Sequence, residues 1–333
     1  MKILITGSTG LTGRAAVEHF TREGWDVIGI DTNMRSRFFG TPEKSGALNV
    51  DIRNQGEIEE LFEKHKFDAI IHTAAQPSHD YSKDHVLEDF DINARGTVIL
   101  LEATRKFCPD AVFVHCSTDK IYGDGMKRKN LKELITKYKN GKLKLYRWHS
   151  FVPFSENTPL SAPFSPFGVS KLYSDFICQE YAAQGWVKTG IFRMGCITGR
   201  NHEGAEQHGF LAYLTKCIKE GKPYYIYGYE GKQVRDQIHA NDLVAAFHCF
   251  INNPRPGEVY NMGGGPGRSV SVFEAGDKIS AKLGKPFISR IVDEPRFGDR
   301  QWDIHDVSKF RADYPEWDYK YSLNDIIDDL CAS

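Results

Sequence analysis

The sequence predicts an α/β protein with a doubly wound parallel sheet of about seven strands and a smaller, interleaved C-terminal lobe. Over the first 195 residues, short apolar runs alternate with amphipathic segments of helical length. This alternation is typical of a parallel sheet that is covered by helices on both faces. After about residue 195 the chain changes to shorter pieces rich in glycine and aromatic residues, so we expect the second lobe to be built from that part.

Seven runs carry the strand signal, because they are short, rich in β-branched residues and mostly apolar. They are KILITG (2–7), WDVIGID (25–31), ALNVDIR (47–53), DAIIHTAA (68–75), AVFVHCST (111–118), KTGIFRMG (188–195) and EVYNMGG (258–264). Between them, apolar residues recur at helical spacing in LTGRAAVEHFTREG, GEIEELFEKHK, NARGTVILLEATRKF and VSKLYSDFICQEYAAQG.

The two lobes are predicted to interleave along the chain. Residues 1–195 form the first domain, and residues 236–264 return to it, because HANDLVAAFHCFINN and EVYNMGG resume the helix and strand pattern. Residues 196–235 and 265–333 then form the smaller lobe. Such interleaving is common where one lobe is inserted into the loops of another.

Composition excludes several classes of protein. The chain has 333 residues, 41% of them hydrophobic, and a formal net charge of −1. It has no apolar run of the roughly 18 residues that span a bilayer, and MKILITG lacks the layout of a signal peptide, so we expect a cytoplasmic protein. Its seven cysteines form no CxxC pair and its twelve histidines no HExxH motif, so no metal site is predicted.

A basic segment at 127–147 stands out in this balanced composition. It carries nine Lys or Arg residues against one acidic residue, Glu133, with Tyr138 and Tyr146 among them. A nucleic-acid-binding surface is one interpretation. The balanced charge of the whole chain favours a solvated helical insertion, which could also cover an anionic ligand.

The first strand and first helix are joined by a glycine-rich turn in KILITGSTGLTGRAAVEHF. Gly7, Gly10 and Gly13 allow a tight turn, close approach to a pyrophosphate and close packing of the helix on the strand. The helix N-terminus adds backbone N–H donors and a positive dipole. This arrangement predicts a dinucleotide-binding domain of the Rossmann type.

The end of the second strand favours NAD over NADP. Asp31 follows Gly7 by 24 residues, the position from which a carboxylate binds the adenosine ribose and repels a 2′-phosphate. Arg35 and Arg37 lie close enough in sequence to keep NADP open as an alternative.

The motifs taken together resemble those of the extended short-chain dehydrogenases/reductases that act on nucleotide sugars, the epimerase/dehydratase group. Beyond GxxGxxG and Asp31, the resemblance rests on Asp51-Ile52, HTAAQ (72–76), DINARGT, STDKIYGD (117–124), SPFGVSK (165–171), FRMG (192–195), GKQVRDQIHANDL (231–243), NMGGG (261–265) and GDRQWDIHDVSK (298–309). It implies bound NAD, adenine contacts from Asp51 and Ile52, and positions beside the cofactor for Ala74 and Asn93.

In this family a tyrosine, a lysine and a Ser/Thr hydroxyl carry out sugar oxidation, and the resemblance assigns two of the three here. Thr118 matches the hydroxyl and Lys171 matches the lysine, which also holds the nicotinamide ribose. Phe167 stands where the tyrosine belongs. The chain is therefore an engineered Tyr→Phe variant, an enzyme with another base, or a protein that binds without turnover.

The residues after Thr118 bear on the substrate. Asp119-Lys120 resembles the pairing of CDP-glucose 4,6-dehydratases, and the Thr-Asp-Lys-x-Tyr-Gly run with its downstream stretch is similar to CDP-tyvelose (CDP-paratose) 2-epimerases. The resemblance favours NAD-dependent epimerisation of a CDP-hexose at C2 over 4,6-dehydration, with a catalytically silent NAD or nucleotide-sugar-binding protein as a third alternative. Asp119 and Tyr122 are the nearest candidates for a substitute base.

The resemblance also implies a nucleotide-sugar partner and a second subunit. Arg235 and Arg300 match arginines that grip the diphosphate, a task that suits the bidentate guanidinium. Asn201 and Gln207 lie in the stretch where relatives hold the base and its ribose. Relatives dimerise through two helices, here around 88–107 and 169–184, so a homodimer or higher homo-oligomer is expected.

Overall fold

A six-stranded parallel sheet lies at the centre of the computed structural model. Its strand order is β11-β7-β4-β3-β1-β2. The model describes residues 1–39, 46–123, 125, 127, 131–137, 143–162, 164–200, 202–206, 209–296 and 299–333. In this order β4, β3 and β1 lie in the middle of the sheet. The chain adds β2 next to β1 on one side and β7 next to β4 on the other, which confirms the predicted doubly wound α/β fold.

The bounds of the elements follow chain order. The strands are β1 Lys2–Thr6, β2 Asp26–Ile30, β3 Ala69–His72, β4 Val112–Thr118, β5 Lys132–Lys137, β6 Leu143–His149, β7 Lys188–Met194, β8 Cys196–Thr198, β9 Tyr224–Tyr227, β10 Val234–His239, β11 Val259–Met262, β12 Ser269–Ser271, β13 Ser289–Val292 and β14 Trp302–Asp303. The helices are α1 Leu11–Arg22, α2 Met34–Phe39, α3 Gln55–His65, α4 His79–Asp84, α5 Val86–Phe90, α6 Gly96–Phe107, α7 Pro166–Ala183, α8 Phe210–Glu220, α9 Ala240–Asn252, α10 Val272–Leu283, α11 Ser308–Asp313 and α12 Leu323–Ala332. Among the described residues, no helix has both the length and the apolar character to cross a membrane.

One of the seven predicted strands does not form. In ALNVDIR (47–53) only Leu48 pairs with the sheet, through an isolated bridge to Ile30. The chain then turns, because the amide of Asn54 donates to the carbonyl of Asp51 and the Asn54 side chain caps α3. The residues of the turn and of the helix cap follow the apolar run so closely that the run is too short to form a strand of the sheet.

The two faces of the central sheet carry separate apolar cores. On one face α1 and α9 pack with residues from α11 and the segment after it, including Phe310 and Trp317. On the other face α3, α6 and α7 cover the sheet. Residues 265–333, which the sequence assigns to the smaller lobe, therefore include a segment whose apolar side chains lie against the first domain.

A third core belongs to the smaller lobe. Buried side chains of α8, α10 and α12 pack together with the two-stranded sheet formed by β9 and β13. Strand β10 connects this lobe to the first domain, since it pairs with β8 at one end and with β12 and β14 at the other. The site between the lobes is thus bordered by strands rather than by loops alone.

The basic segment forms a β-hairpin, so the predicted helical insertion is wrong. β5 and β6 pair antiparallel, and the hairpin docks on the smaller lobe. The guanidinium of Arg147 binds the carboxylate of Glu274 at the start of α10, and the amide of Trp148 donates to the carbonyl of Lys232. In KELITK and LKLYRWH, successive residues point to opposite faces of a strand. The helical prediction rested on the number of charged residues and did not use this two-residue period.

Candidate active site

The carboxyl ends of the parallel strands form the edge at which most predicted site residues meet. Ligands of open α/β sheets bind at this edge, next to the point where the strand order reverses. The first residues after the six strand ends are Gly7, Asp31, Thr73, Asp119, Gly195 and Gly263.

The glycine turn has the shape that a dinucleotide pyrophosphate requires. Gly7 has a φ of +67°, and a Cβ there would lie 2.8 Å from the amide nitrogen of Ala74. A Cβ on Gly13 would lie 2.1 Å from the carbonyl oxygen of Gly7. Helix α1 starts directly after Gly10, which offers no side chain to cap it. The turn and the uncapped amides fit the pyrophosphate of NAD.

Asp31 lies at the end of β2 within reach of the glycine turn. Its carboxylate accepts hydrogen bonds from the amide and hydroxyl of Thr9, at 3.0 and 2.8 Å, and from the amide of Asn33. These bonds fix the carboxylate where an adenosine ribose is expected. Arg35 pairs with Glu203, at 3.5 Å between Nε and Oε2. The side chain of Arg37 lies outside the described part.

A cavity of about 290 Å³ begins at Thr32, the residue after Asp31, and one of the two predicted adenine contacts lines it. Asp51 lines the cavity, and its carboxylate is held by the guanidinium of Arg53 at 2.7 Å. Partial burial opposes ionisation, but the Arg53 hydrogen bonds and charge lower the pKa of Asp51 overall. The Ile52 side chain is buried against Gly96, where a Cβ would lie 2.7 Å from its Cδ1.

The replacement Gly13→Ala tests the cofactor turn. The added methyl would collide with the Gly7 carbonyl, so the turn or helix α1 must shift. We expect bound NAD to fall at least tenfold, measured as nicotinamide absorbance released from the purified protein. Gly56→Ala is the control, because its Cβ meets only the Asn54 carboxamide oxygen at 3.7 Å. NAD retention equal to that of Gly56→Ala would show that the turn does not hold the pyrophosphate.

Asn93 organises the loop after β3. It lies in a single π-helical turn, Asp91–Arg95, a feature that often marks functional sites. Its side-chain oxygen accepts from the Gln76 amide at 2.9 Å, and its nitrogen donates to the Gln76 carbonyl at 3.1 Å and to Ser170 at 3.1 Å. Ala74, in the same loop, donates its amide to the Thr6 hydroxyl. Asn93 thus ties the loop after β3 to α7.

Thr118 lies on β4, and Phe167 and Lys171 lie on α7, which packs against β4. Thr118 is the last residue of β4, and its hydroxyl donates to Asp119 at 3.3 Å. Phe167 and Lys171 lie one turn apart near the start of α7, and both side chains are buried. Burial lowers the pKa of Lys171. The environment suits a lysine that tunes a neighbouring acid or base.

The surroundings of Tyr122 indicate that it supports the fold rather than the reaction. Its side chain is fully buried, and its hydroxyl donates to Asn261 at 2.7 Å and accepts from Arg193 at 3.1 Å. Burial raises its pKa to about 12. A tyrosine enclosed in this way is a poor candidate for the substitute base.

Asp119 belongs to a buried charge cluster that also contains one of the predicted diphosphate arginines. Nη1 of Arg300 donates to Asp119 at 3.0 Å and to Asp303 at 3.1 Å, and the Lys120 ammonium lies 3.6 Å from both carboxylates. Arg235, the other predicted arginine, pairs with Asp299. In this conformation, both arginines are bound to carboxylates.

His305 completes the cluster between the lobes. Its Nδ1 lies 3.0 Å from Asp236, and its Nε2 lies 3.8 Å from Asp119 and 4.0 Å from Asp303. Asp119, Asp303 and His305 bring three possible metal-ligand atoms within 4.8 Å of one another. Arg300 already places its guanidinium between the two carboxylates, so the cluster is balanced by side-chain charges.

The charge of His305 should make stability depend on pH. Burial opposes the charge, but Asp236, Asp303 and Asp119 outweigh it and raise the pKa of His305 to about 9. Because the unfolded pKa is 6.5, this contribution is complete below pH 6.5 and is lost as pH rises through 9. We expect the free energy of unfolding in urea to fall by about 3 kcal/mol over that range, and His305→Gln to remove this fall. Equal slopes for the two proteins would contradict the assignment.

Two predicted substrate contacts, Asn201 and Gln207, lie outside the described residues. Three side chains that the sequence did not single out lie near the others, namely His79, Asp303 and His305. Asp303 and His305 occur in the stretch quoted as GDRQWDIHDVSK, whose pattern does not distinguish them. His79 follows HTAAQ by three residues, and no local spacing marks it.

Comparison with known proteins gives the family. The sequence model described as the NAD dependent epimerase/dehydratase family matches residues 3–263. CDP-paratose 2-epimerase of Salmonella typhi is 30% identical over 292 residues, which cover 82% of each chain. dTDP-glucose 4,6-dehydratase of Salmonella typhimurium is 30% identical over 281 residues, 79% of this chain and 72% of the relative.

Solved structures agree on the fold. The crystal structure of UDP-glucose 4-epimerase from Thermus thermophilus, a complex with NAD, superposes with a TM-score of 0.80 over 99% of both chains at 23% identity. This likeness supports the doubly wound architecture of the first domain and the arrangement of the second. With the family match over residues 3–263, it leads to one conclusion: the chain belongs to the NAD-dependent epimerase/dehydratase family of short-chain dehydrogenases/reductases and uses NAD as its cofactor.

Proposed function

We propose that the protein epimerises a CDP-hexose at C2 through a transient keto sugar. The observation that carries the proposal is the 30% identity to CDP-paratose 2-epimerase over 82% of both chains, together with the Thr118-Asp119-Lys120 run at the end of β4. Function within this fold depends on the site rather than on the architecture, so the contacts of these residues have to fit the reaction.

The site residues have distinct tasks in this reaction. NAD, held by the glycine turn and Asp31, would supply the acceptor and later the donor of the C2 hydride. The Thr118 hydroxyl, at the sheet edge, hydrogen-bonds the C2 oxygen while the buried ammonium of Lys171 stabilises negative charge that develops there. Since the hydride returns, the reaction has no net redox change.

The sugar nucleotide would bind between the lobes. We propose Arg235 and Arg300 as the diphosphate ligands, which requires them to exchange their present carboxylate partners for phosphate oxygens. Asn201 and Gln207 are the proposed contacts to the base and its ribose.

A 4,6-dehydratase is the second candidate, because dTDP-glucose 4,6-dehydratase is also 30% identical, over 79% of this chain. Dehydration requires an acid that protonates the departing C6 oxygen. Asp119, the residue at that place, lies 3.6 Å from the ammonium of Lys120. This ion pair does not depend on Arg300 and favours the epimerase, because it commits the carboxylate to a cation.

The two candidates give different products in D₂O. CDP-paratose and CDP-glucose are incubated separately with the protein and with Phe167→Tyr, and products are followed by proton NMR. We expect inversion at C2 without deuterium at that carbon, because the hydride stays in the active site. A 4-keto product that carries deuterium would identify a dehydratase. If neither protein changes either sugar, the proposed CDP-sugar substrate is wrong.

We also propose that the protein forms a homodimer through α5 and α7. Val169, Tyr173 and Phe176 form an exposed apolar stripe at helical spacing on α7, and Leu87 and Phe90 lie exposed on α5 beside it. The rings of Phe90 and Tyr173 are 6.2 Å apart, so the surface is continuous. Monomers seldom leave such a patch in water.

Charge placed in this stripe should separate the subunits. We expect Phe176→Glu to shift the sedimentation coefficient from that of a dimer to that of a monomer, because a carboxylate is costly at the centre of an apolar interface. Phe151→Glu is the control, since Phe151 is more exposed, at 79%, but lies outside both helices. A monomeric parent protein, or a dimeric Phe176→Glu variant, would contradict this interface.

A further inference from the structure

We propose that the imidazole of His79 accepts the proton that a tyrosine at position 167 would take from the sugar hydroxyl. The inference rests on the proposed oxidation and reduction of the sugar. Oxidation of an alcohol to a ketone releases one proton with the hydride, so a positioned base is needed. Phe167 has no ionisable group, and the base must come from another side chain near it.

His79 lies against Phe167. The ring centroids are 5.0 Å apart, and the rings meet edge to face at 67°. The imidazole therefore contacts the side chain that stands in place of the family tyrosine. Both ring nitrogens of His79 are enclosed by the protein in this conformation, so the ring has to turn toward the sugar hydroxyl for the proton to pass.

A hydrogen-bonded bridge fixes the two residues to each other. The hydroxyl of Ser82 donates to the carbonyl of His79 at 2.8 Å and accepts from the amide of Phe167 at 3.3 Å. Ser82 is itself buried. The start of α4 and the start of α7 are thus held as one unit, which positions the imidazole as a catalytic base requires.

The other parts of the site converge on the same place. β3, which leads into α4, pairs in parallel with β4, which ends at Thr118. Lys171 lies one helical turn after Phe167. The hydroxyl of Thr118, the ammonium of Lys171 and the imidazole of His79 therefore come from three neighbouring elements at one edge of the sheet.

The two bases suggested by the sequence are less suitable. Tyr122 is enclosed between Asn261 and Arg193, with a pKa of about 12. Asp119 lies 3.6 Å from the ammonium of Lys120, a pair that does not depend on Arg300. His79, unlike these two, adjoins the position of the family tyrosine, and a neutral imidazole accepts a proton readily near neutral pH.

The proton step balances in both directions. As the C2 hydride moves to NAD, the hydroxyl proton moves to a ring nitrogen of His79 and leaves the keto oxygen hydrogen-bonded to Thr118. When the hydride returns to the opposite face of C2, the imidazolium gives the proton back to that oxygen. The protein and cofactor end each cycle in their starting states.

Four proteins test the proposal: the parent, His79→Gln, Phe167→Tyr and the double variant. Glutamine keeps a polar side chain but cannot take up a proton. We expect His79→Gln to lower kcat for C2 inversion by about 10²- to 10⁴-fold with bound NAD unchanged. Phe167→Tyr in the same chain should restore the rate to within about tenfold of the parent, because the tyrosine and Lys171 then supply the base.

The control is His85→Gln, a nearby exposed histidine that stacks on Tyr81. It should retain the parent rate. The proposal is overturned if His79→Gln also retains that rate, or if the double variant keeps its NAD and stays inactive. It is likewise overturned if the parent is inactive and Phe167→Tyr is active, a result that leaves the proposed function standing.

A different result would show that the proposed function, rather than the role of His79, is wrong. If neither the parent nor Phe167→Tyr converts CDP-paratose or CDP-glucose, the substrate assignment is wrong. The same four proteins are then mixed with UDP-glucose and dTDP-glucose, and reduction of bound NAD is followed by nicotinamide absorbance. Reduction in the parent and its loss in His79→Gln support the base; equal reduction in both, or none in the parent, overturns it.

Discussion

Asp175→Ala is expected to destabilise the protein by about 3 to 5 kcal/mol, among the largest effects of any single replacement considered for this chain. Asp175 is fully buried, and its carboxylate accepts from two nitrogens of Arg193 at 3.0 and 2.9 Å. It also accepts from Ser117 at 2.6 Å and Gln179 at 2.7 Å. Removing the carboxylate leaves the Arg193 guanidinium buried without its counter-charge.

Urea unfolding followed by circular dichroism measures this effect. Asp110→Ala is the matched control, because the Asp110 side chain is exposed and its ion pair with Lys188 is long, at 3.9 Å. Surface pairs of this kind contribute about 0 to 1 kcal/mol. In Asp175→Leu/Arg193→Met both charges are gone, and most of the stability should return. A loss below about 1 kcal/mol for Asp175→Ala would mean that the pair is not formed.

The fold could be predicted from the sequence because its signal is local and repeated. Strands buried on both faces must be short apolar runs, and the helices between them must be amphipathic, as in KILITG followed by LTGRAAVEHFTREG. The hairpin at 132–149 was missed for the opposite reason. Its lysines dominate the composition, whereas its conformation depends on antiparallel pairing and on the contact of Arg147 with the distant Glu274.

The candidate site divides in the same way. Gly7, Gly13, Thr118 and Lys171 are predicted from short motifs, because the function proposed for each needs a fixed local spacing. The contacts that define their surroundings are not local. Arg300 meets Asp119 across 181 positions, and the His79 ring meets the Phe167 ring only because α4 packs on α7.

Lys171→Met is expected to abolish turnover and at the same time to stabilise the fold. The Lys171 side chain is buried, and among the described residues no carboxylate lies within 4.0 Å of its ammonium. Burial is the main reason that its pKa is lowered. The buried ammonium therefore destabilises the native state. Residues proposed to act in catalysis often have such a cost in stability.

The sign of the stability change follows from the pKa direction. A lysine whose folded pKa lies below its ordinary 10.5 destabilises the native state while the unfolded chain holds the proton, so the cost is present at neutral pH and fades as pH rises toward 10.5. We expect Lys171→Met to raise the free energy of unfolding at neutral pH by about 1 to 3 kcal/mol. This gain should shrink in alkaline buffer.

The activity of the same variant should change in the other direction. In the proposed mechanism Lys171 stabilises the developing alkoxide and holds the nicotinamide ribose, so we expect loss of the ammonium to lower kcat by about 10²-fold or more. Lys188→Met is the control, because the Lys188 ammonium reaches only the exposed Asp110, and it should change neither quantity. A less stable Lys171→Met protein would show that the ammonium has a structural partner, and a fully active one would remove Lys171 from the catalytic machinery.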